Sequence, residues 1–335
     1  MQHDATAAAS TFNLPGPIRT VAPHPVGHIN DSFIVTCDAR RFLLQRINHD
    51  VFKNPAAVME NIARVTAHLR SKNVPTLSLV PTRDGRPYLT DNAGGTWRMY
   101  DYIAGAQSFD LADSPARARE AARAFGGFQC ALADLPPPRL KETIPDFHNT
   151  PQRFAAFRQA VASDRANRAV AAKREIEFAL SHESLERALI DLHLPERVTH
   201  NDTKINNVLF DERTGRAVCV IDLDTVMPGL ALYDFGDLVR TATSPAAEDE
   251  RDLSRVVFQR SMYDALVEGY LEAVGDMVVE AEKENLALAG RVITFETGLR
   301  FLTDHLNGDA YFKVHREGHN LDRCRMQFRL VECMP

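Results

Sequence analysis

The sequence predicts an α+β protein in which a small strand-rich part, residues 21–103, precedes a larger helical part, residues 104–335. The first part contains runs of β-branched and aromatic residues, such as 32–36 and 41–47, separated by polar turns. In the second part, apolar residues recur every three or four positions over long stretches, beginning at 115–132. This change of pattern predicts a two-lobed molecule with a strand-rich first lobe.

The composition is that of an ordinary globular protein. Of the 335 residues, 44% are hydrophobic and 25% are charged, and the net charge is −6. A negative net charge does not favour nucleic acid or an anionic membrane surface as a partner. No apolar run approaches the roughly 20 residues of a membrane span. Five scattered cysteines, without a Cys-x-x-Cys pair, are typical of buried thiols in a reducing cytoplasm. We therefore expect a cytoplasmic monomer or weak homodimer.

The N-terminal segment carries little structural signal. Its first eleven residues are polar and rich in Ala, and they lack the basic start and apolar core of a signal peptide. We expect residues 1–20 to be frayed or disordered.

The strand-rich part opens with a polar turn containing Gly27, between two strand-like runs. Such a turn is common in β-hairpins and can also cover a phosphate group, and the residues alone leave both interpretations open. An amphipathic helix is predicted over 54–69, because Asn54 is a good N-cap and Pro55 suits the first helical position. Further strands are predicted over 77–80, 87–90 and 96–103.

The helical part is interrupted once. Helices are predicted over 115–132, 153–190, 250–275, 277–290 and 291–307, with a hairpin-like stretch at 198–224 between the second and the third.

The hairpin-like stretch carries the residues with chemistry. His200 and Asp202 come first, Asn207 and a short strand over 208–210 follow, and a second strand ends at Asp222. A loop, a strand, a turn and a strand would deliver these side chains to one place, where carboxylate and amide oxygens suit Mg²⁺ and phosphate. An isolated Asp-x₄-Asn is usually turn chemistry. Its combination with the preceding His and the later Ile-Asp follows the kinase template.

The strand-rich lobe, the helical lobe and this motif together resemble the bilobal protein-kinase-like fold, in its branch of aminoglycoside phosphotransferases and choline kinases. The resemblance covers about residues 20–330, and within the branch the chain looks most like the N-acetylhexosamine 1-kinases. The segments that carry the closer likeness are 27–31, 200–204, 221–229, 232–237, 300–304, 308–312 and 319–323. The resemblance implies transfer of the γ-phosphate of ATP, with Mg²⁺, to the anomeric hydroxyl of N-acetylglucosamine or N-acetylgalactosamine.

The same resemblance assigns roles in the motif. Asp202 would be the catalytic carboxylate that accepts the proton of the substrate hydroxyl or orients it, and Asn207 and Asp222 would hold Mg²⁺. His200 is expected to be a scaffold of the loop. Asp234 precedes a Phe-Gly pair but lies beyond the strand end, so we expect it to fix the loop or cap a helix.

The nucleotide would lie under the first lobe. No Lys occurs on the strand 41–47, so the phosphate-pairing role would fall to Arg46, with Glu60 as its ionic partner. Strand alternation lets only one of Gln45 and Arg46 face the cleft. The turn at Gly27 would cover the phosphates. The base is expected to bind backbone groups of the hinge, which contains Met99, Tyr100, Asp101 and Tyr102.

The acceptor site is the least determined part. Candidates are polar or aromatic side chains of the Gly27 turn, the strand end and the C-terminal segment: His28, Asn30, Asp224, Arg300, Asp304 and Tyr311. Asp224 is equally compatible with metal support, substrate contact or a turn. Basic and acidic residues are about equally frequent over 300–330, which argues against a polycationic acceptor.

Other functions remain open from the sequence. A kinase of this fold could act on an aminoglycoside, choline, homoserine or methylthioribose, and a non-catalytic nucleotide-binding pseudokinase is a different class. A transition-metal enzyme would need more clustered His or Cys ligands. A P-loop kinase would need a Gly-x₄-Gly-Lys motif, which the sequence lacks.

Overall fold

A computed structural model of the protein describes residues 2–24, 29–38 and 40–335. The helices are α1 (Gln2–Ala9), α2 (Pro55–Ser71), α3 (Pro115–Leu132), α4 (Thr150–Ser163), α5 (Lys173–Ser181), α6 (Ala231–Ala242), α7 (Arg260–Val274), α8 (Glu280–Glu284), α9 (Leu286–Leu306) and α10 (His319–Cys333). The strands are β1 (Ile18–Pro23), β2 (Asp31–Cys37), β3 (Arg40–Arg46), β4 (Leu89–Thr90), β5 (Thr96–Asp101), β6 (Ala106–Gln107), β7 (Glu196–Thr199), β8 (Val208–Asp211), β9 (Ala217–Val220) and β10 (Met227–Leu230). None of the helices in these ranges has the length and apolar character needed to cross a membrane.

Five antiparallel strands form the sheet of the N-terminal lobe, in the order β1-β2-β3-β5-β4. One face of this sheet carries Phe33, Leu44, Trp97 and Met99, which are buried in a small core together with residues of α1. The α+β fold with a small sheet and a helical remainder confirms the predicted fold class. The segment 77–80, predicted as a strand, makes only an isolated bridge to β5.

The N-terminus differs from the disordered segment predicted for residues 1–20. Helix α1 lies on the sheet with Ala5 and Ala9 fully buried, and Phe12 is buried beside them. The N–H of Asn13 donates to the carbonyl of Pro81 at 2.8 Å. Alanine has the highest helix propensity, and its small side chain lets a helix lie close to a sheet. The Ala-rich composition that suggested disorder is therefore what allows the helix to pack.

Helix α2 joins the two lobes. Asn54 caps it by accepting from the N–H of Ala57 at 3.1 Å, and Pro55 begins it, as predicted. Its apolar face belongs to the same core as the helical lobe. The buried Asn61 side chain donates to the carbonyls of Lys141 (2.7 Å) and Val226 (3.0 Å), both outside the N-terminal lobe. These hydrogen bonds fix α2 to the helical lobe.

The second lobe is built from packed helices, with α3 against α7 and α9 between α6, α4 and α10. The helical region predicted over 153–190 is broken. Helix α4 ends at Ser163, the next residue, Asp164, has a left-handed backbone, and α5 begins only at Lys173. The spacing of apolar residues alone does not locate helix ends at tight turns of this kind.

The hairpin predicted over 198–224 is confirmed. Strands β8 and β9 are antiparallel, with Val208 opposite Val220, and β6 pairs with β8 on its other side. The loop 200–207 leaves the end of β7, and Asp222 follows β9. The N–H of Ile221 donates to the carbonyl of Asn207 at 2.9 Å. Asn207 and Asp222 therefore lie at the same end of the hairpin.

Candidate active site

The loop 200–207 is held in place by Asp234 of α6. The Asp234 carboxylate accepts from the backbone N–H groups of His200 (2.9 Å) and Asn201 (2.7 Å) and from the side-chain amide of Gln129 (2.6 Å). The hydroxyl of Thr203 donates to the Asp234 carbonyl at 2.6 Å. Burial raises the pKa of Asp234, although His200 and these donors oppose the shift. Asp234 thus fixes the loop, the role expected for it.

His200 is buried inside the loop. Its Nε2 donates to the carbonyl of Ile221 at 2.9 Å, and its ring meets the edges of Phe125 and Phe128. Because Ile221 directly precedes Asp222, this hydrogen bond ties the loop to the end of the hairpin. The geometry gives His200 the scaffold position expected for it.

Asp202 is accessible at the surface of this scaffold, with a quarter of its side chain exposed. Its Oδ1 lies 3.1 Å from the Lys204 ammonium, and its Oδ2 accepts from Asn207 Nδ2 at 3.1 Å. Burial raises the pKa of Asp202, but the charges of Lys204 and His200 outweigh it and hold the pKa below the usual range. Asp202 is therefore an ionised carboxylate at neutral pH.

Asp222 has an exposed side chain and a left-handed backbone, with φ 58°. Desolvation in the cleft and the charges of Asp224 and Asp202 raise its pKa to about 6, against the opposing effect of Arg98 and Lys204. Three carboxylates are thus close enough to repel one another. A cation bound at Asp222 would favour the ionised form of its carboxylate.

The polar face of the N-terminal sheet closes over this cluster. Arg98 of β5 forms a buried ion pair with Asp224, and its Nε and Nη2 donate to Gln45 Oε1 at 3.1 and 2.9 Å. Gln45 in turn donates to the hydroxyl of Ser32 at 3.1 Å. Asn30 Nδ2 donates to Asp224 Oδ2 at 2.7 Å. Asp224 is therefore a point at which the sheet of the first lobe contacts the second lobe, and both of its oxygens are engaged.

The predicted Arg46–Glu60 pair is wrong. Arg46 lies across from Trp97 on the sheet, with its guanidinium 5.8 Å from the Trp97 ring centroid, and Trp97 belongs to the core under α1. Successive strand residues point to opposite faces, so Gln45 faces the helical lobe and Arg46 faces away. Glu60 forms its ion pair with Lys141 instead.

The predicted hinge, 99–102, is mostly enclosed. Met99 and Tyr100 are buried. The N–H groups of Asp101 and Tyr102 donate to the carbonyls of residues 78 (3.0 Å) and 41 (3.2 Å), so these two donors are already used within the lobe. The Tyr100 hydroxyl is buried and has no partner in the described ranges. A polar ligand atom at this position would satisfy it.

Gly27 and His28 lie outside the described residues, so their predicted roles stay predictions. Asn30 is engaged by Asp224, and its Oδ1 accepts from the N–H of Asn48 at 3.0 Å. It therefore supports the closed arrangement of the lobes.

The C-terminal candidates, Arg300, Asp304 and Tyr311, lie on helix α9 and on the turn that follows it. The Arg300 guanidinium lies between the rings of Phe147 and Phe312, 5.0 and 5.6 Å from their centroids. Asp304 accepts from the N–H groups of Tyr311 (2.8 Å) and Phe312 (2.9 Å) and is buried, so it shapes the 309–312 turn from beneath. Tyr311 is 53% exposed. Tyr311 is thus exposed and Arg300 half-buried, whereas Asp304 is buried beneath the turn.

The sequence model of the phosphotransferase enzyme family matches residues 20–276. The chain belongs to this family. It has the fold of the aminoglycoside phosphotransferases and of the choline/ethanolamine kinases.

Solved structures agree with this fold. A microcompartment-associated aminopropanol kinase is 16% identical, with 98% of this chain and 95% of that chain covered and a TM-score of 0.63. An aminoglycoside phosphotransferase from Alicyclobacillus acidocaldarius is 15% identical, with 98% and 94% covered and a TM-score of 0.61. An amicoumacin kinase, solved with AMP-PNP, Ca²⁺ and amicoumacin, is 12% identical, with 100% and 94% covered and a TM-score of 0.68.

The residues of the kinase fit a divalent cation bound together with nucleotide. Asn207 uses its Nδ2 to hold Asp202, which leaves its Oδ1 free to act as a ligand beside Asp222. Within the described ranges no three His, Cys, Asp or Glu side chains form a complete metal cage. A partial set of one carboxylate and one amide is what Mg²⁺ uses when phosphate oxygens and waters complete its octahedron.

Sequence reasoning missed Arg98, a buried cation on the face of the first-lobe sheet that is turned towards the helical lobe. A signal was present, because Arg98 is the one charged residue inside an otherwise apolar and aromatic run from Trp97 to Tyr100. A charged residue in a buried strand requires a partner. Lys204 was also overlooked, although it lies two residues from Asp202.

Proposed function

We propose that this kinase transfers the γ-phosphate of Mg²⁺–ATP to the anomeric hydroxyl of an N-acetylhexosamine and releases the sugar 1-phosphate and ADP. The observation that carries the transfer chemistry is the arrangement of an ionised Asp202 within hydrogen-bond distance of Asn207 and next to the Asp222–Asp224 pair. Phosphoryl transfer depends mainly on positioning and on neutralising charge, and this cluster can do both.

Asp202 acts on the acceptor. Its carboxylate accepts a hydrogen bond from the acceptor hydroxyl and takes the proton as the oxygen bonds to the γ-phosphorus and the bond to ADP breaks. The Lys204 ammonium, 3.1 Å from the carboxylate, stabilises the ionised form between turnovers. A bound Mg²⁺ would neutralise the phosphate oxygens, with Asn207 and Asp222 as its protein ligands.

Arg153, Arg300 and Tyr311 form a group of side chains that we call the acceptor wall. Their chemistry favours a neutral or acyl-bearing substrate over a polycation. Arg153 of α4 is largely buried, and burial together with the nearby charge of Arg300 lowers its pKa. Its Nε has no hydrogen-bond partner in the described part of the chain. Two neighbouring guanidiniums would repel the ammonium groups of an aminoglycoside or choline, and they can donate to a carbonyl such as that of an acetamido group. The exposed Tyr311 ring can pack on a sugar face.

The test is an ADP-release assay with Mg²⁺–ATP and a panel of N-acetylhexosamines, unacetylated sugars, an aminoglycoside, choline, homoserine and methylthioribose. Turnover restricted to N-acetylhexosamines, with a 1-phosphate product by phosphorus NMR, supports the proposal. Turnover only on one of the other alcohols refutes the assignment of an N-acetylhexosamine as the acceptor, whereas the assignment of kinase activity stands. Nucleotide binding without turnover on any acceptor favours the pseudokinase.

A further inference from the structure

A buried network that the transfer chemistry does not use lies directly behind Asp202. His148, in the segment before α4, is buried, and so are Thr150 and Glu296. His148 Nδ1 lies 2.8 Å from Glu296 Oε1, and the Thr150 hydroxyl donates to Glu296 Oε2 at 2.6 Å. His148 Nε2 lies 3.1 Å from the carbonyl oxygen of Asn201, the residue before Asp202.

The peptide that this network reaches is strained. Asn201 has φ 65°, a left-handed conformation that is uncommon for non-glycine residues and is held by the surrounding contacts. Its N–H is held by Asp234, its side-chain amide donates to the carbonyl of Thr225 at 2.9 Å, and its Oδ1 accepts from Thr199 at 3.0 Å. The carbonyl is the remaining polar group, and His148 is the side chain that holds it.

The hydrogen-bond partners of His148 determine which of its ring nitrogens carry a hydrogen. A carbonyl oxygen can only accept, so Nε2 carries a hydrogen and donates to Asn201. Burial raises the pKa of Glu296, but the charge of His148 and the hydrogen bonds from His148 and Thr150 outweigh it and hold that pKa below its usual range. An ionised Glu296 accepts as well, so Nδ1 also donates. His148 thus lies between two acceptors, and its ring centroid is 5.0 Å from that of Tyr233.

We propose that His148, oriented by Glu296, is a positioning residue for the transfer reaction: it holds the strained Asn201 peptide and so fixes the direction in which Asp202 points. This inference rests on the assignment of Asp202 as the catalytic carboxylate. The network also contacts the acceptor wall, because Phe147 packs on Arg300, and Glu296 lies on the same helix as Arg300, one turn earlier.

The experiment compares His148→Ala, Glu296→Ala and Glu296→Gln with the wild-type enzyme and with the control His182→Ala. His182 is half-buried and stacks on Phe178, away from the loop 200–207. We expect His148→Ala and Glu296→Ala to lower kcat by about 10- to 100-fold, the effect of a misplacement near 1 Å, with KM for ATP changed less than about twofold. Glu296→Gln keeps the shape and one hydrogen bond, so it should recover most of kcat.

The double variant His148→Ala with Glu296→Ala should be no slower than His148→Ala alone, because Glu296 acts through His148. A kcat loss that equals that of His182→Ala, or one that is additive in the double variant, overturns the proposal.

Hydrogen–deuterium exchange gives a readout that needs no acceptor. Amides in 198–207 should exchange faster in His148→Ala and Glu296→Ala, with the hairpin 208–220 unchanged. Unchanged exchange over 198–207 refutes the positioning role. If the variants exchange faster over 198–207 but the wild-type protein has no transfer activity, His148 still holds the loop and the proposed function is refuted. The failure of the inference and the failure of the proposed function are therefore distinguishable.

Discussion

Removal of the Arg98 charge tests the contact between the lobes. In Arg98→Met, Asp224 would remain as a buried carboxylate, since only 3% of its side chain is exposed, and Asn30 would be its remaining donor. Breaking a buried ion pair from one side costs about 3–5 kcal/mol, because an uncompensated charge is left behind. Unfolding entropy of about 2.1 cal/mol/K per residue gives roughly 0.7 kcal/mol/K for 335 residues, so we expect Tm to fall by about 4–7 °C.

Differential scanning calorimetry at pH 8 measures this loss, and a second variant provides the control. Arg98→Met combined with Asp224→Leu removes both charges and should recover more than half of the lost Tm. A single variant within 1 °C of the wild type, or a double variant no more stable than the single one, would refute the buried-pair reasoning.

Four further outcomes follow from the site. Asp202→Asn should lower kcat by about 10²–10⁴-fold and leave Mg²⁺–ATP binding intact by isothermal titration calorimetry; near-normal turnover would remove Asp202 from the chemistry. If Asp222 is a metal ligand, the metal would bind its ionised form, and the pKa of Asp222 is about 6. Affinity for Mn²⁺ should then rise as the pH increases from 5 to 7 and level off above it, and Asp222→Asn should abolish this rise. Arg46→Met should leave KM for ATP within about twofold, since Arg46 lies on the face of the sheet that is turned away from the helical lobe; a tenfold increase would support its predicted role at the phosphates. Arg300→Gln should raise KM for the acceptor about tenfold without changing KM for ATP, and equal changes in both would place Arg300 outside the acceptor wall.

The local chemistry of the loop and hairpin was predictable because its residues are close in sequence. The positions of Asp202, Asn207 and Asp222 depend on one short loop and one tight hairpin, whose register the apolar alternation determines. The scaffold roles expected of His200 and Asp234 agree with the geometry for the same reason, since the turn of α6 is only about 30 residues away.

Contacts between distant segments were not predictable from local patterns. Arg98 meets Asp224 across 126 positions, and His148 meets Glu296 across 148. The wrong choice of Arg46 came from analogy with a lysine on the same strand, although alternation had shown that only one of Gln45 and Arg46 could face the cleft. The packed α1 was missed because an Ala-rich segment becomes ordered only when a sheet is present to receive it.

Helix α2 is attached to the helical lobe more firmly than to the sheet it follows in sequence. Swinging α2 away would leave the amide of Asn61 and the carbonyl of Val226 without partners, at a cost of about 1–3 kcal/mol for each group. Any separation of the two lobes that keeps these hydrogen bonds would therefore move the sheet and leave α2 in place. Such a separation would break the contacts of Arg98 and Asn30 with Asp224, so the strength of these contacts would oppose it.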